Sequence, residues 1–455
     1  MLKSVLIWPI VSITLFLALA TTPASPSDSP ASATLSLEER VVIASQLYSG
    51  IQMYFGHWKG VPNLDLDKEY ARYIQQAIAS DSRRDFDLAS MEFLATLQNG
   101  HSGFGDKWLR DEFGQMIGFY AYPIEGDWAV TKSSIAELPV GEIIAAINDE
   151  PFEAFYQSNR KCLSASDERW RRRAFFEETY LFPPSFTVTL KSGRKVSVTR
   201  KGAFQWPGEE FQSIQSSQRD GVAILRIPAF APSVFEDSAV EFLKTLGPVK
   251  ALILDLRGNH GGSTPSNLVA ALMDRPYRWM AESTPATIAV LRAWDIGSSH
   301  TELAWGSDPQ QPSHPLYSGV LYILVDGGCF SACEDLVVPF KDNHRALILG
   351  ERTGGSTGQP YSHSFDNGMG FSVSTKREYF PDGSPFEGIG VAPDIEVRTS
   401  AADLRAGNDP VLAKALDLIA KTAADASFGV PSELVTSANY QRPTTNDLLS
   451  EENIH

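Results

Sequence analysis

Cysteine is scarce in this chain of 455 residues, which contains only Cys162, Cys329 and Cys333. Three cysteines form one intrachain disulfide at most, and a chain of this length buries cores of its own, so the fold does not depend on a disulfide framework. Cys329 and Cys333 flank Ser331 four residues apart. The sequence favours small buried side chains for them over an oxidised pair, although their redox state stays open.

Basic residues are also few. The 55 Asp and Glu residues outnumber the 39 Lys and Arg residues, which gives a formal charge of −16, and the basic residues are scattered rather than clustered. Nucleic acids and anionic lipid surfaces are bound through concentrated positive charge. The sequence therefore disfavours nucleic acid and anionic membranes as partners.

Motifs for metals and phosphates are absent as well. Cys329 and Cys333 form no zinc constellation, no His-x-x-x-His or His-Glu-x-x-His pair occurs, and the aspartates do not follow EF-hand spacing. The glycine turn in "LILDLRGNHGGSTPSNL" lacks the Lys-Ser/Thr pair of a phosphate-binding P-loop. We therefore predict no metal and no other cofactor.

The amino terminus contains a long apolar run. A short basic start, apolar residues 5–20 and a small-residue exit at Ala18-Leu19-Ala20 predict an export signal over residues 1–24. A Ser/Pro/Ala-rich spacer is predicted at 25–35. An uncleaved membrane anchor is the alternative, which Pro9 and the small-residue exit disfavour. The mature chain would then be periplasmic or secreted, without integral membrane association.

The rest of the chain divides into regions of different pattern. Residues 36–110 show apolar residues at three- and four-residue spacing, which predicts a helical segment. Residues 111–203 alternate short apolar strands with turns, including a hairpin in "SFTVTLKSGRKVSVTRKG", which predicts a small β module. Across 210–400, buried strands such as "VKALILDLRG" and "GVLYILVDG" alternate with helices, which predicts an α/β core whose sheet is covered on both faces. A helix at 401–426 and a loose polar tail at 427–455 complete the prediction.

Ser331 lies at a strand-to-helix turn in "LVDGGCFSACEDLVVPF". Serine at a helix start commonly caps the helix, and taken alone that interpretation would be favoured. The same position also exposes a hydroxyl near backbone donors and the positive end of a helix, where an oxyanion can be stabilised. Two further glycine turns follow predicted strands, in "LRGNHGG" and "GERTGGSTG", and "FEGIGVAPDIEV" places Glu387 before a third.

The collinear motifs "LDLRGNHGG", "CFSACEDL" with "GERTGG", "FEGIGVAPDIEV" and "DPVLAKALDL" resemble those of the tail-specific, or carboxyl-terminal-processing, serine peptidases of family S41. The order and spacing match over roughly residues 90–420. The resemblance implies a ClpP/crotonase-like catalytic core, an inserted PDZ-like β module and an acyl-enzyme formed on Ser331. This sequence departs from the Ser-Lys branch of the family, because Ser356 stands where that branch has its lysine.

The tricorn-core-like branch of the family uses a histidine base and a glutamate that orients it. "FLATLQNGHSGF" resembles its histidine motif apart from Asn99, so the resemblance implies His101 as general base and Glu387 as its orienting carboxylate. A near-neutral imidazole suits the removal of a serine proton. The oxyanion donors would be the backbone N–H groups of Ala332 and of Gly261 or Gly262.

Other candidates for the base remain open. His260 lies inside the first glycine turn, His363 follows the second, and Lys341 lies on the helix after Ser331, although it is expected to face elsewhere. His57, His300, His314, His344 and His455 show no motif context, so surface or packing roles are predicted for them.

Residues 111–203 resemble a degenerate PDZ domain. The loop Ile117-Gly118-Phe119 would bind a terminal carboxylate, and "LPVGEIIAAINDEPF" resembles the stretch that follows it in the family. In that mode a peptide adds as an extra strand. A spacer domain without a groove is the alternative, because Glu142 and Asp149 depart from the usual Asp and Gly.

These observations predict an exported serine endopeptidase acting on proteins or peptides. The alternative is a catalytically inactive protein of the S41 fold that binds peptides or apolar ligands, an idea suggested by the missing lysine at position 356. The sequence leaves the natural substrate and the oligomeric state open.

Overall fold

The computed structural model describes residues 33–202, 213–287 and 300–427. The predicted export signal, and almost all of the predicted spacer and tail, lie outside these ranges. Within them, no helix combines the length and the apolar character needed to cross a membrane.

The amino-terminal segment is helical, as its periodicity predicts. Ser36, Asp65 and Ser82 each begin a helix by accepting a hydrogen bond from a backbone N–H three residues later. A four-residue strand after the third helix was not predicted, because its partner strand lies more than 250 positions away at Met369–Ser374. The elements are α1 (Leu37–Tyr54), α2 (Leu66–Ala79), α3 (Arg83–Ala95), β1 (Gly103–Asp106) and α4 (Lys107–Phe113).

The β module forms an antiparallel sheet with the strand order β2-β3-β4-β6-β7, and β5 pairs with β4. The predicted hairpin is confirmed, because Ser185–Leu190 pairs antiparallel with Lys195–Thr199. That the module is PDZ-like stays a prediction. Its elements are β2 (Phe119–Ile124), β3 (Asp127–Ser133), β4 (Ile143–Ile147), β5 (Glu150–Pro151), α5 (Phe152–Asn159), α6 (Glu168–Ala174), β6 (Ser185–Leu190) and β7 (Lys195–Thr199).

The α/β core contains a six-stranded sheet in the order β18-β14-β13-β10-β9-β8. All neighbours pair in parallel except β8, which is antiparallel to β9. Apolar clusters cover both faces of this sheet, so the predicted fold class is confirmed. The sheet strands are β8 (Gln215–Arg219), β9 (Val222–Arg226), β10 (Ala251–Asp255), β13 (Leu321–Val325), β14 (Leu347–Gly350) and β18 (Ile395–Glu396).

Helices and smaller strands surround this sheet. The helix predicted at 401–426 is in fact two helices, because Gly407 adopts a left-handed conformation with φ of 67° and ends the first of them. The helices are α7 (Val234–Thr245), α8 (Ser266–Leu272), α9 (Ala332–Asp342), α10 (Ala401–Ala406) and α11 (Pro410–Ser427). The additional strands are β11 (Ala281–Thr287), β12 (His300–Trp305), β15 (Pro360–Ser364), β16 (Met369–Ser374) and β17 (Arg377–Tyr379).

The parallel order of β10, β13 and β14 brings three turns to the same edge of the sheet. β10 leads into the turn at 256–265, β13 into the turn at 326–331 and β14 into the turn at 351–359. The carboxyl ends of neighbouring parallel strands are where α/β folds gather functional loops. The three glycine-containing turns predicted from the sequence therefore meet.

Candidate active site

Ser331 lies between β13 and α9 in an unusual backbone conformation, with φ of 57° and ψ of −127°. A non-glycine residue in such a region costs on the order of 1–3 kcal/mol and is retained where the surroundings determine it. Although Ser331 is the residue before α9, its side chain makes no capping hydrogen bond. The structure therefore does not support the capping interpretation.

His101 contacts the Ser331 hydroxyl directly. Its Nε2 lies 2.9 Å from Ser331 Oγ, and each of the two residues is only 5% exposed. The backbone of His101 is fixed by Asn99, whose Oδ1 accepts hydrogen bonds from His101 N and Ser102 Oγ, both at 3.0 Å. The end of α3 and the start of β1 thus deliver the imidazole to the turn after β13.

Ser356 stands between His101 and Glu387. His101 Nδ1 lies 3.0 Å from Ser356 Oγ, and Ser356 Oγ donates to Glu387 Oε1 at 2.7 Å. Glu387 therefore connects to the imidazole through Ser356, and its predicted role as the orienting carboxylate stays a prediction. A hydroxyl that donates to Glu387 accepts from Nδ1–H, which leaves Nε2 free to accept the Ser331 proton.

Glu387 is held by three segments of the chain. Besides Ser356, its Oε1 accepts from Asn99 Nδ2 at 2.9 Å and from Ser166 Oγ. Burial raises the pKa of Glu387 to about 7, against the hydrogen bonds from Ser166 and Ser356, which lower it. The ionisation of this carboxyl therefore lies close to neutral pH.

The environment keeps His101 neutral. Burial is the main cause that lowers the pKa of its imidazole to about 3, and the positive charge of Lys376 acts in the same direction. A neutral imidazole is the form that accepts a proton, so this side chain is in the form required of a general base throughout the neutral range.

Two aromatic rings hold the plane of the imidazole. Phe330 stacks on His101 with ring centroids 4.8 Å apart and an interplanar angle of 8°, and Trp170 stacks on Phe330 at 3.9 Å and 10°. A Cβ at Gly100 would lie 2.9 Å from Phe330 Cζ, so glycine is required before the histidine.

Glu334 fixes the turn that carries Ser356. It is fully buried on α9 and accepts hydrogen bonds from Gly355 N at 2.8 Å, from Ser356 N at 3.0 Å and from the Thr353 hydroxyl. Ser331 N donates to Ser356 O at 3.1 Å. The turns after β13 and β14 are therefore joined through both backbone and side chains.

The backbone N–H groups of the candidate oxyanion donors are not all available. Gly261 N already donates to Asn259 Oδ1 at 2.8 Å, which contradicts its predicted role as a donor. The N–H groups of Gly262 and Ala332 have no acceptor within the part of the chain that the structure describes. Gly261 instead allows the turn after β10 to approach Ser331 closely, because a Cβ at Gly261 would lie 2.8 Å from Ser331 Cβ.

The other candidate bases contact groups other than Ser331. Lys341 Nζ pairs with Asp394, as its position on α9 predicts, and His363 Nδ1 lies 3.5 Å from the Tyr361 hydroxyl. His260 Nδ1 is 3.8 Å from Glu177 Oε1. None of these side chains occupies the position that His101 takes.

The proposed carboxylate loop presents little side-chain surface. Ile117 is 2% exposed and Phe119 is 1% exposed, so both side chains belong to the core of the module. The carbonyl of Gly118 accepts hydrogen bonds from the backbone and the hydroxyl of Ser134. Only backbone groups of this loop could bind a peptide, and that role stays a prediction.

Cys329 and Cys333 are bonded to each other, with Cα atoms 5.3 Å apart, and both are fully buried. The preference for two reduced cysteines is therefore wrong. Residues four apart are brought within bonding distance because the chain turns sharply at Ser331 before α9 begins. Cys162 is a free thiol.

Several residues of the site were not predicted as functional. In the sequence, Ser356 stands out only because it occupies the position of the lysine in the Ser-Lys branch. That position was the one available signal that Ser356 belongs to the site. Asn99 was noticed only as a departure from a motif, and Ser166, Phe330 and Glu334 gave no local signal, because their partners come from distant segments.

Known proteins show similarity to both the sequence and the fold. Residues 221–397 match the model of peptidase family S41. Carboxyl-terminal-processing peptidase 2 of the Arabidopsis thaliana chloroplast is 33% identical over 147 residues, which are 32% of this chain and 26% of that protein. The carboxyl-terminal-processing protease of Synechocystis sp. is 26% identical over 203 residues, which are 44% of each chain.

The chain thus spans less than half the length of these two curated relatives. Among solved structures, mature CPAF superposes with a TM-score of 0.64 at 17% identity, over 87% of this chain and 99% of that chain. At this identity the similarity is one of fold.

Proposed function

We propose that this chain, whose residues 221–397 match the model of peptidase family S41, is a serine endopeptidase that hydrolyses peptide bonds of proteins or peptides. The single observation that carries the proposal is the contact of 2.9 Å between His101 Nε2 and Ser331 Oγ. The test is hydrolysis of an unstructured protein or a peptide panel by the purified chain, with the variants given below.

In the first half of the reaction, Ser331 Oγ attacks the carbonyl carbon of the substrate while His101 Nε2 takes the hydroxyl proton. The imidazolium then donates from Nδ1 to Ser356, which donates to Glu387. The proton passes from Nε2 to the leaving amine, and the acyl group stays on Ser331. A positioned general base typically contributes about 10²–10⁴ in rate.

In the second half, water replaces the amine, His101 accepts a proton from it, and the acyl-enzyme is hydrolysed. The N–H groups of Gly262 and Ala332 would stabilise the negative oxygen in both tetrahedral intermediates. Loss of one such donor typically lowers the rate about 10²–10³-fold.

The proposed substrate route includes the β module, where the backbone of Ile117, Gly118 and Phe119 would receive a peptide terminus. Export, with a periplasmic or secreted enzyme, belongs to the same proposal. The alternative of an inactive binding protein arose from the missing lysine, and Ser356 now fills that place within the hydrogen-bonded chain. A peptide panel that stays intact while peptide or apolar ligand binding saturates would favour the alternative.

Ser356→Ala is expected to lower kcat about 10–100-fold with KM nearly unchanged, because the imidazole loses its connection to Glu387 while the substrate contacts remain. Steady-state kinetics on one peptide would measure both constants. Ser362→Ala is the matched control, since Ser362 is an exposed serine on β15, and it should keep kcat within about twofold. An equal loss of kcat in both variants, or no loss in either, would count against the hydrogen-bonded connection from His101 through Ser356 to Glu387.

The pH dependence separates Glu387 from His101. The pKa of Glu387 is raised to about 7, so its carboxyl is neutral below that pH and ionised above it. An ionised Glu387 stabilises the imidazolium, whereas the pKa of His101, lowered to about 3, lies too low to titrate in the same range. We expect kcat to rise through a midpoint near 7.

Glu387→Gln should therefore give a low kcat that stays flat between about pH 5 and 8, because glutamine does not ionise. Full pH profiles of the wild type and this variant make the comparison. An unchanged midpoint in the glutamine variant would assign the ionisation to another group.

A further inference from the structure

We infer that the Cys329–Cys333 disulfide positions the reacting groups of the nucleophile turn. The inference rests on the proposed function and deepens it, because it assigns a role in that reaction to two residues that touch no substrate. The bond encloses three residues, Phe330, Ser331 and Ala332, in one small covalent ring.

Each enclosed residue presents a different part of the site. Phe330 stacks on the His101 imidazole, Ser331 carries the hydroxyl 2.9 Å from Nε2, and Ala332 has a backbone N–H without an acceptor among the described residues. A displacement of this ring would move the nucleophile, the ring that supports the base and an oxyanion donor together. One crosslink therefore controls all three.

The turn needs such a constraint. Ser331 holds a φ of 57°, and its neighbourhood is tied by Phe330 N to Asn259 O at 3.0 Å and by Cys333 N to Phe330 O at 3.2 Å. A non-glycine residue keeps this conformation only where its surroundings over-determine it. The disulfide adds a covalent constraint across the strained residue.

Global stabilisation is a weaker explanation for this bond. In the chain-entropy account, a disulfide stabilises a protein more when it closes a longer loop, and here the two cysteines are only four residues apart. Both side chains are fully buried, and Cys333 Sγ lies against the carbonyl of Leu256 at 3.9 Å. The bond thus lies beneath the turn, on the core side, where it restrains geometry without meeting substrate.

The first experiment is disulfide mapping of the native protein by mass spectrometry after alkylation of free thiols. We expect alkylation at Cys162 alone and a linked peptide that contains Cys329 and Cys333. Alkylation at all three cysteines would overturn the inference, whether or not the protein hydrolyses peptides.

The second experiment compares the double variant Cys329→Ala/Cys333→Ala with Cys162→Ala, which removes the free thiol and leaves the bond. At a temperature well below both unfolding midpoints, the double variant should lose at least about tenfold in kcat with KM within about twofold. Its rate of phosphonylation by a serine-directed probe should fall in parallel. A bond that only stabilised the fold would lower Tm and leave both rates unchanged, which would contradict the inference.

If the double variant does not fold, wild-type protein refolded with the phosphine TCEP present supplies the reduced state, scored by alkylation of all three cysteines. Full kcat in that state overturns the inference, and a tenfold loss that reoxidation restores supports it. The two proposals fail on different results. A role for the bond is contradicted if the reduced enzyme hydrolyses peptides normally, whereas the peptidase proposal is contradicted if Ser331→Ala hydrolyses peptides normally.

Discussion

Ser331→Ala is expected to lower peptide hydrolysis about 10⁴-fold or more, to the background of the assay. The substitution removes one oxygen atom and leaves the turn, the imidazole and the oxyanion donors in place, so no acyl-enzyme can form. Because the Ser331 side chain makes no capping hydrogen bond, α9 loses nothing by the change. Steady-state hydrolysis of an unstructured peptide at high enzyme concentration measures the loss.

A control for folding accompanies this variant. Its unfolding midpoint should stay close to that of the wild type, and Ser158→Ala on α5 should hydrolyse the peptide normally, since Ser158 is exposed and its hydroxyl donates to Ala154 O on the same helix. Residual turnover within about tenfold of the wild type would mean that another group is the nucleophile.

His101→Gln has the second largest expected effect, a loss of about 10³–10⁴ in kcat. Glutamine keeps a polar side chain of similar reach but offers no basic nitrogen to take the Ser331 proton. KM should change little, because the buried imidazole faces Ser331 and Ser356 rather than an open surface. The measurement is kcat and KM on the peptide used for Ser331→Ala.

His363→Gln is the matched control for this variant. His363 lies on β15 beside the Tyr361 hydroxyl, so its replacement should leave kcat within about threefold. A large loss in His363→Gln together with near-normal activity in His101→Gln would exchange the assignments of the two histidines.

The pattern of the sequence accounts for most of the core. Strands β9, β10, β13 and β14 and helices α8 and α9 form where near-continuous apolar runs alternate with helical spacing. The hairpin strands β11 and β12, and the strands β15 to β17, were not predicted, because their residues are mixed in polarity and their pairing partners are remote in sequence. Strand pairing of that kind depends on tertiary context more than on local propensity.

The site was predictable to the extent that motifs mark it. Ser331, His101 and Glu387 each follow a recognisable motif, and the structure brings the three together. The role of Ser356 was not predicted, because a serine in a glycine-rich turn has no distinctive pattern. Its two partners, His101 and Glu387, are 255 and 31 residues away in the sequence. The engagement of the Gly261 N–H by Asn259 depends on the three-dimensional shape of the turn, which composition does not reveal.

The bonded cysteines show the same limit. Two cysteines four positions apart occur in many kinds of backbone, and in this chain the turn at Ser331 brings their Cα atoms to 5.3 Å. The sequence therefore supplies the candidates for a bond, and the fold decides between a thiol pair and a disulfide.

The most direct test of the account is to map the adduct of a serine-directed phosphonylating probe by peptide mass spectrometry. We predict one phosphonyl group on Ser331 of the wild type, with loss of peptide hydrolysis in proportion to labelling, and slow labelling of His101→Gln. An adduct on a different serine, or full hydrolysis by protein that is fully labelled at Ser331, would contradict it.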